Sequence, residues 1–450
     1  MGETMIATGT RLERATLTTS RLLDFCSERE LVAQTGHPVE DWPLVALKEL
    51  LDNALDACDE ARVNPEIEVI VGKDGISISD NGPGIPARTV EGVLDFSVRV
   101  SNREAYMAPD RGAQGNALKT LVAMPFVLSE DSGLAGGVTI TAQGVRHSIT
   151  VTVDQLRQKP VARHECSEIV RNGTLFHFAW PDSASSFLQD AKARFLQMAE
   201  DYTFLNPHLT LDMDWFGARR RIAATSSDWA KWRPSDPTSA HWYEVDHLAR
   251  LAAGYIVHDQ DQGRDRTVRE FVSEFRGLSS TAKQKKVLDA TGFARAKLSE
   301  WLNGDGAVDR EAVSALLGAM RLHSKPVAAP LLGVIGEEHL KQRFAGLGGK
   351  MESFNYRKVA KIGTDGLPVV IETAFAWLDG DGKRRLITGV NWSAGIGDPF
   401  RVLGATGEGL SSILTDRRAG PNEPIAFLLH VACPRVEYTD RGKSAIVVKD

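Results

Sequence analysis

Apolar side chains between residues 47 and 58 return at the spacing of a helix. At about 100° per residue, Leu47, Leu50, Leu51, Ala54, Leu55 and Cys58 share one face, and Glu49, Asn53 and Asp56 lie opposite. Ile76-Ser77-Ile78-Ser79-Asp80 alternates as a strand does and runs into Asn81-Gly82-Pro83-Gly84-Ile85-Pro86, a stiff glycine-rich turn. Arg111-Gly112-Ala113-Gln114-Gly115-Asn116-Ala117 leads into an apolar helix over residues 118–124. Asn172-Gly173-Thr174 is a turn entering a strand at Leu175-Phe176. Taken singly, each has a plain structural meaning: an amphipathic surface helix, a hairpin turn, a glycine-rich loop and a strand entry.

Further along, Trp215, Trp229, Trp232 and Trp242 around Pro234 and Pro237 read as an aromatic connector. Residues 241–326 are mostly helical in pattern. Thr267 and Glu270 make a capping box, Val268, Phe271, Val272 and Phe275 follow helical spacing, and Gly277 closes the segment. Short helices are expected at 280–291, 294–303 and 310–322. After Pro326 strands return. Residues 371–378 and 384–390 flank Asp379-Gly380-Asp381-Gly382, which predicts a hairpin. Residues 425–433 read as a buried strand, and a helix near 400–417 predicts a βαβ unit.

A chain of 450 residues predicts two to four domains at about 150 residues each. The expected division is 1–214, 215–326 and 327–450. Lys and Arg number 53 against 59 Asp and Glu, a net charge of −6, which excludes a uniformly basic nucleic-acid binder and leaves only local patches. One such patch is residues 263–300. Nine basic residues (Arg264, Arg266, Arg269, Arg276, Lys283, Lys285, Lys286, Arg295, Lys297) face five acids there. Arg219-Arg220-Arg221 is another. Both patches are open to two readings, phosphate contact or a solvated face. Four scattered cysteines without a CxxC pair argue against a disulfide scaffold and a Cys-rich zinc site. No apolar run approaches a membrane span, and the first twenty residues lack a signal-peptide core, so a cytoplasmic protein is expected.

The chemistry lies in the first four motifs. An acid at a strand end beside glycines is placed to meet a ligand that approaches the backbone. Glycines before a helix start can cradle phosphate with backbone N–H groups. No GxxxxGK[ST] occurs, so this is not a Walker loop.

Together, in this order, the four motifs resemble the GHKL ATPase family. The resemblance implies an α+β multidomain chain whose first domain is a Bergerat α/β sandwich that binds ATP and Mg²⁺ under a lid. Glu49 would be the general base for the attacking water, and Asn53 would coordinate Mg²⁺. Asp80 would accept from the adenine amino group, with Thr174 supporting it. Gly82 and Gly84 would admit the nucleotide. Gly112, Gly115, Asn116, Ala117 and Leu118 would wrap the phosphates. Ala117 stands where the family usually has a third glycine. Lys119 reads as a solvated lysine.

Downstream, Asn206-Pro207-His208-Leu209, the helical module after Thr267 and Gly333-Val334-Ile335-Gly336-Glu337-Glu338 resemble segments of topoisomerase VI B-type ATPases. So does Tyr438-Thr439-Asp440-Arg441-Gly442-Lys443-Ser444-Ala445. This implies a helix–two-turn–helix module and a βαβ transducer domain in which Lys443 reaches the γ-phosphate. It also implies an ATP-dependent homodimer, with residues 1–25 as a strap. The dimer would form a clamp on duplex DNA and work with a separate DNA-cleaving protein similar to the A-type topoisomerase partner. In the B-type proteins a long helix follows the lysine, whereas this sequence stops at Asp450. The alternatives are an ATPase clamp or defence switch without topoisomerase activity, and a scaffold that binds nucleotide without turnover.

Overall fold

The computed structural model describes residues 26–94, 106–111, 117–129, 137–154, 159–303, 306–380, 382–403, 407–439 and 445–447. The described residues begin with two helices, α1 (Glu28–Thr35) and α2 (Trp42–Ala61). Pro43 in the first turn of α2 lacks only an N–H that a helix start leaves unbonded. The hairpin β1 (Glu66–Gly72) and β2 (Gly75–Ser79) follows, then α3 (Ala87–Val93) and α4 (Ala117–Leu128). Next come β3 (Val138–Ala142), β4 (Val145–Asp154), β5 (Lys159–Glu168) and β6 (Thr174–Ala179). Helices α5 (Ser185–Asp190) and α6 (Lys192–Leu205) lead to β7 (Thr210–Trp215) and β8 (Ala218–Ile222).

These eight strands form one mixed sheet in the order β5-β4-β3-β6-β2-β1-β7-β8, with β1–β7 the parallel pair. β1 alternates exposed and buried positions, and Ile67, Val69 and Val71 point into the core. The apolar face of α2 meets that core through Leu47, Leu50, Leu51 and Leu55, all buried. The sheet runs on to Ile222, past the expected boundary at 214. Trp215 ends β7 of this sheet and packs edge-on against Phe195, so it belongs to this first unit and not to a connector.

The helical module holds α7 (Val245–Asp261), α8 (Val268–Ser273), α9 (Thr281–Thr291) and α10 (Arg310–His323). The capping box on α8 is formed, with Thr267 accepting from the Glu270 N–H and Glu270 accepting from that of Thr267. No α-helix covers 294–303; residues Leu298–Trp301 form one 3-10 turn.

After α11 (Glu337–Gly346) come β9 (Asn355–Ile362), β10 (Pro368–Trp377), β11 (Arg385–Val390), β12 (Ser393–Ala394), α12 (Leu410–Asp416) and β13 (Ile425–Ala432). They make a second sheet, β12-β11-β13-β10-β9. The expected hairpin is absent. β13 lies between β10 and β11, antiparallel to the first and parallel to the second. The expected βαβ unit is present as β11–α12–β13. Among the described residues, no helix is long and apolar enough to cross a membrane.

Candidate nucleotide site

Glu49, Asn53 and Ala57 follow one another at i, i+4 and i+8, a single ridge of α2. Asn53 is exposed and Glu49 half-buried. Asp56, expected beside them, is instead buried and ion-paired. The turn after β2 packs on this helix: a Cβ on Gly82 would stand 3.5 Å from Ala57 Cβ and 3.3 Å from Cys58 Sγ.

Asp80 is fixed at the end of β2 by its own backbone and side chain. Its N–H donates to the Thr174 carbonyl (3.0 Å). Its Oδ1 accepts from the N–H groups of Gly82 (2.8 Å) and Thr174 (3.3 Å). Burial pushes the Asp80 carboxyl above the usual range, and the two N–H groups offset part of that. Asn81 is a structural staple. It accepts from the Glu66 N–H and donates to the Asn64 carbonyl, both at 3.0 Å.

Two further residues hold this turn system together. Gly173 has φ +73°, and a Cβ there would lie 1.8 Å from the Asp80 carbonyl oxygen. Its place in the Asn172-Gly173-Thr174 motif was the available signal. Gln143 heads the two-residue β3–β4 turn, with positive φ at Gln143 and Gly144. Its Nε2 donates to the carbonyls of Pro83 and Gly84, each at 3.2 Å. No sequence signal linked it to that turn.

Arg111 is 2% exposed and enters a buried polar cluster. Its guanidinium donates to Asp56 (2.7 Å), Asp59 (2.6 Å) and Asn206 (2.5 Å). Lys231 Nζ lies 3.2 Å from Asp59, and His208 Nε2 lies 2.7 Å from it. Burial pushes the Asp59 carboxyl up, but Arg111 and Lys231 outweigh it and hold the group well below the usual carboxylate range. The start of the glycine loop is thereby tied to α2. Ala117 and Leu118 open α4. Lys119, expected in solvent, is 1% exposed.

A second cluster joins α2 to the second sheet. Lys48 Nζ donates to Asp52 (2.7 Å) and to Ser393 Oγ. Ser393 Oγ and Tyr202 OH donate to Asp52 at 2.7 and 2.8 Å. Tyr438 lies within electrostatic reach of Lys48 and Asp52. Gly112, Gly115, Asn116 and Lys443 lie outside the described residues, as do residues 1–25.

Of the basic patches, Arg219, Arg220 and Arg221 pair with Asp214, Glu200 and Asp212. In 263–300, Arg266 is buried against Asp259 and Arg264 pairs with Glu270. Lys283 and Lys297 donate to backbone carbonyls. Lys285, Lys286 and Arg295 are exposed.

A mixed sheet, an acid at a strand end and a polar helix ridge beside it make up the candidate site. In comparison with known proteins, the chain is similar to the B-type protein of topoisomerase 6. It is 22% identical over 420 residues to the type 2 DNA topoisomerase 6 B protein of Archaeoglobus fulgidus, a match covering 90% of this chain and 66% of that one. The homologue of Methanococcoides burtonii is 36% identical over 84 residues, 18% of this chain and 13% of its own length. That of Natronomonas pharaonis is 32% identical over 129 residues, 27% of this chain and 16% of its own. No family model matches the chain. Among solved structures, the ATPase region of Saccharomyces cerevisiae topoisomerase II overlaps 90% of this chain and 76% of its own (9% identity, TM-score 0.39). The Aquifex aeolicus MutL ATPase domain complexed with ADP overlaps 88% and 91% (11% identity, TM-score 0.33).

Proposed function

We propose that the chain is an ATP-binding and hydrolysing protein that acts as an ATP-gated dimeric clamp on duplex DNA with a separate DNA-cleaving protein. The observation that carries the reading is Asp80. Its carboxyl group is oriented by two N–H groups at the end of a buried strand, beside the Glu49–Asn53–Ala57 ridge. Gly82 keeps that carboxylate open, since a Cβ there would stand 3.0 Å from Oδ1. Such an oriented acceptor suits the adenine amino group, with Thr174 beside it and Gly84 at the turn. Asn53 supplies the hard oxygen that Mg²⁺ prefers, and the ion would neutralise phosphate charge there. Glu49, one helical turn away, is the general base for water.

In this reading Gly112, Gly115, Asn116, Ala117 and Leu118 cradle the phosphates at the start of α4. Lys443 reaches the γ-phosphate from the segment after Tyr438. The chain then divides into an ATP-binding domain, a helical module and a transducer-like domain. In this reading the first domain takes in the strands up to Ile222. Lys285, Lys286 and Arg295 are exposed residues of the module and would meet DNA phosphate.

ATP hydrolysis measured with and without duplex DNA tests this. Glu49→Ala should lower turnover by about 10²–10⁴-fold, the usual contribution of a general base. Unchanged turnover in Glu49→Ala would refute the assignment of the base. Hydrolysis indifferent to DNA would leave an ATPase that is not a DNA clamp.

A further inference from the structure

Far along the first sheet from Asp80, at its β5 edge, three soft donors converge. Cys166 pairs across the ladder with His147, and His164 pairs with Ile149 two residues on, so all three side chains leave the same face. His147 Nδ1 lies 2.9 Å from His164 Nε2. Cys166 Sγ lies 3.5 Å from His147 Nδ1 and 3.4 Å from His164 Nε2. The two imidazoles stack at 5.1 Å. His147 is buried, His164 half-buried and Cys166 exposed, so the triangle is backed by the core and opens to water.

We propose that His147 Nδ1, His164 Nε2 and Cys166 Sγ form a Zn²⁺ site with water in the fourth position. Zinc bonds of about 2.0–2.1 Å to nitrogen and about 2.3 Å to sulfur place tetrahedral donors about 3.3 Å (N to N) and about 3.6 Å (N to S) apart. The sulfur distances already match, and the imidazoles need to part by only about 0.4 Å. A thiolate with two imidazoles is a donor set that Zn²⁺ favours over Mg²⁺ or Ca²⁺. On binding, the Cys166 S–H bond breaks, the sulfur pair forms the S–Zn bond and the proton leaves to bulk water. No oxidant or reductant is needed. Glu91 of α3 is within electrostatic reach of His147 and faces the added positive charge.

The position gives the site a consequence. His147 lies just past the Gln143–Gly144 turn whose side chain holds the Pro83 and Gly84 carbonyls. A metal bridging β4 and β5 there would brace the turn end of that hairpin.

The test uses the full chain stripped of metal and titrated with Zn²⁺ against a chromophoric chelator, and with Co²⁺ followed by absorbance. One equivalent of Zn²⁺ should bind, Co²⁺ should give a thiolate charge-transfer band, and Zn²⁺ should raise the unfolding temperature. Cys166→Ser and His164→Gln, both at accessible positions, should abolish the Co²⁺ band (Cys166→Ser) and weaken zinc binding at least about tenfold (both). Zinc uptake unchanged in Cys166→Ser, or no uptake by the wild type, would overturn the site. ATP hydrolysis does not enter the readout.

Discussion

At the residue scale, Gly173 carries the sharpest steric statement in the molecule. Its φ of +73° alone costs an L-residue roughly 1–2 kcal/mol. Gly144 has φ +83°, yet a Cβ there would meet nothing nearer than the Ile169 carbonyl oxygen at 3.8 Å. At Gly173 the same atom would lie 1.8 Å from the Asp80 carbonyl oxygen, so strand β2 must move. Gly144→Ala should therefore cost about 1 kcal/mol in urea unfolding and leave nucleotide affinity intact. Gly173→Ala should cost at least about 2 kcal/mol and weaken ATP binding at least about tenfold, because it displaces the acid itself. Equal effects of the two substitutions would mean that only backbone conformation matters here. Asp80 and Thr174 were legible from the alternation of Ile76 to Asp80 and from the turn before Thr174. The contact between Gly173 and Asp80 was not, because sequence spacing says nothing about which two backbones stack.

At the scale of elements, helix α2 shows what a helical wheel captures and what it omits. The buried positions Leu47, Leu50, Leu51, Ala54, Leu55 and Cys58 follow from periodicity. The burial of Asp52, Asp56 and Asp59 on the polar side does not, since, Lys48 apart, their partners come from Arg111, Tyr202, His208, Lys231 and Ser393. The missing hairpin has the same origin. Asp379-Gly380 is sound turn chemistry, but the apolar run of β13 inserts between β10 and β11, and local signals do not choose partners. The ion cluster yields a prediction. Arg111→Met removes the main counter-charge of two buried carboxylates and should destabilise the chain by about 3–5 kcal/mol. Asp59 has a depressed folded-state pKa, so its stabilisation is present above the ordinary carboxylate pKa and is lost as pH falls through the folded value. Removing Arg111 raises that folded value, so acid unfolding should begin at higher pH. An unchanged acid midpoint would show that Lys231 suffices.

At the scale of the whole molecule, the two sheets are joined through α6 and the β11–β12 turn. Asn391 and Trp392 both have positive φ there, an arrangement rare for a residue as bulky as Trp. The buried Trp392 carbonyl accepts from Asn206, and Asn391 donates to the Asp110 carbonyl just before the glycine loop. Gly389 lets β11 approach Leu205 of α6, where a Cβ would stand 2.6 Å from the leucine Cδ1. Closing the same joint from α11, His339 Nε2 donates to the Phe204 carbonyl at 2.9 Å, and its Nδ1 takes the Thr225 hydroxyl. Both nitrogens are used by the neutral ring, and burial lowers its pKa from the ordinary 6.5 to about 4. Between those values the unfolded chain binds a proton that the folded chain does not. Stability is therefore fully present above pH 6.5 and is lost as pH falls towards 4, by on the order of 3 kcal/mol from this one residue. His208, with a pKa lowered by burial, contributes with the same sign. Urea unfolding at pH 7.5 and pH 5 should show the wild type losing stability on acidification, and His339→Gln, which keeps a donor towards Phe204 but does not titrate, losing less by most of that amount. The same pH dependence in His339→Gln would remove this histidine as the acid-sensitive point of the joint between the two sheets.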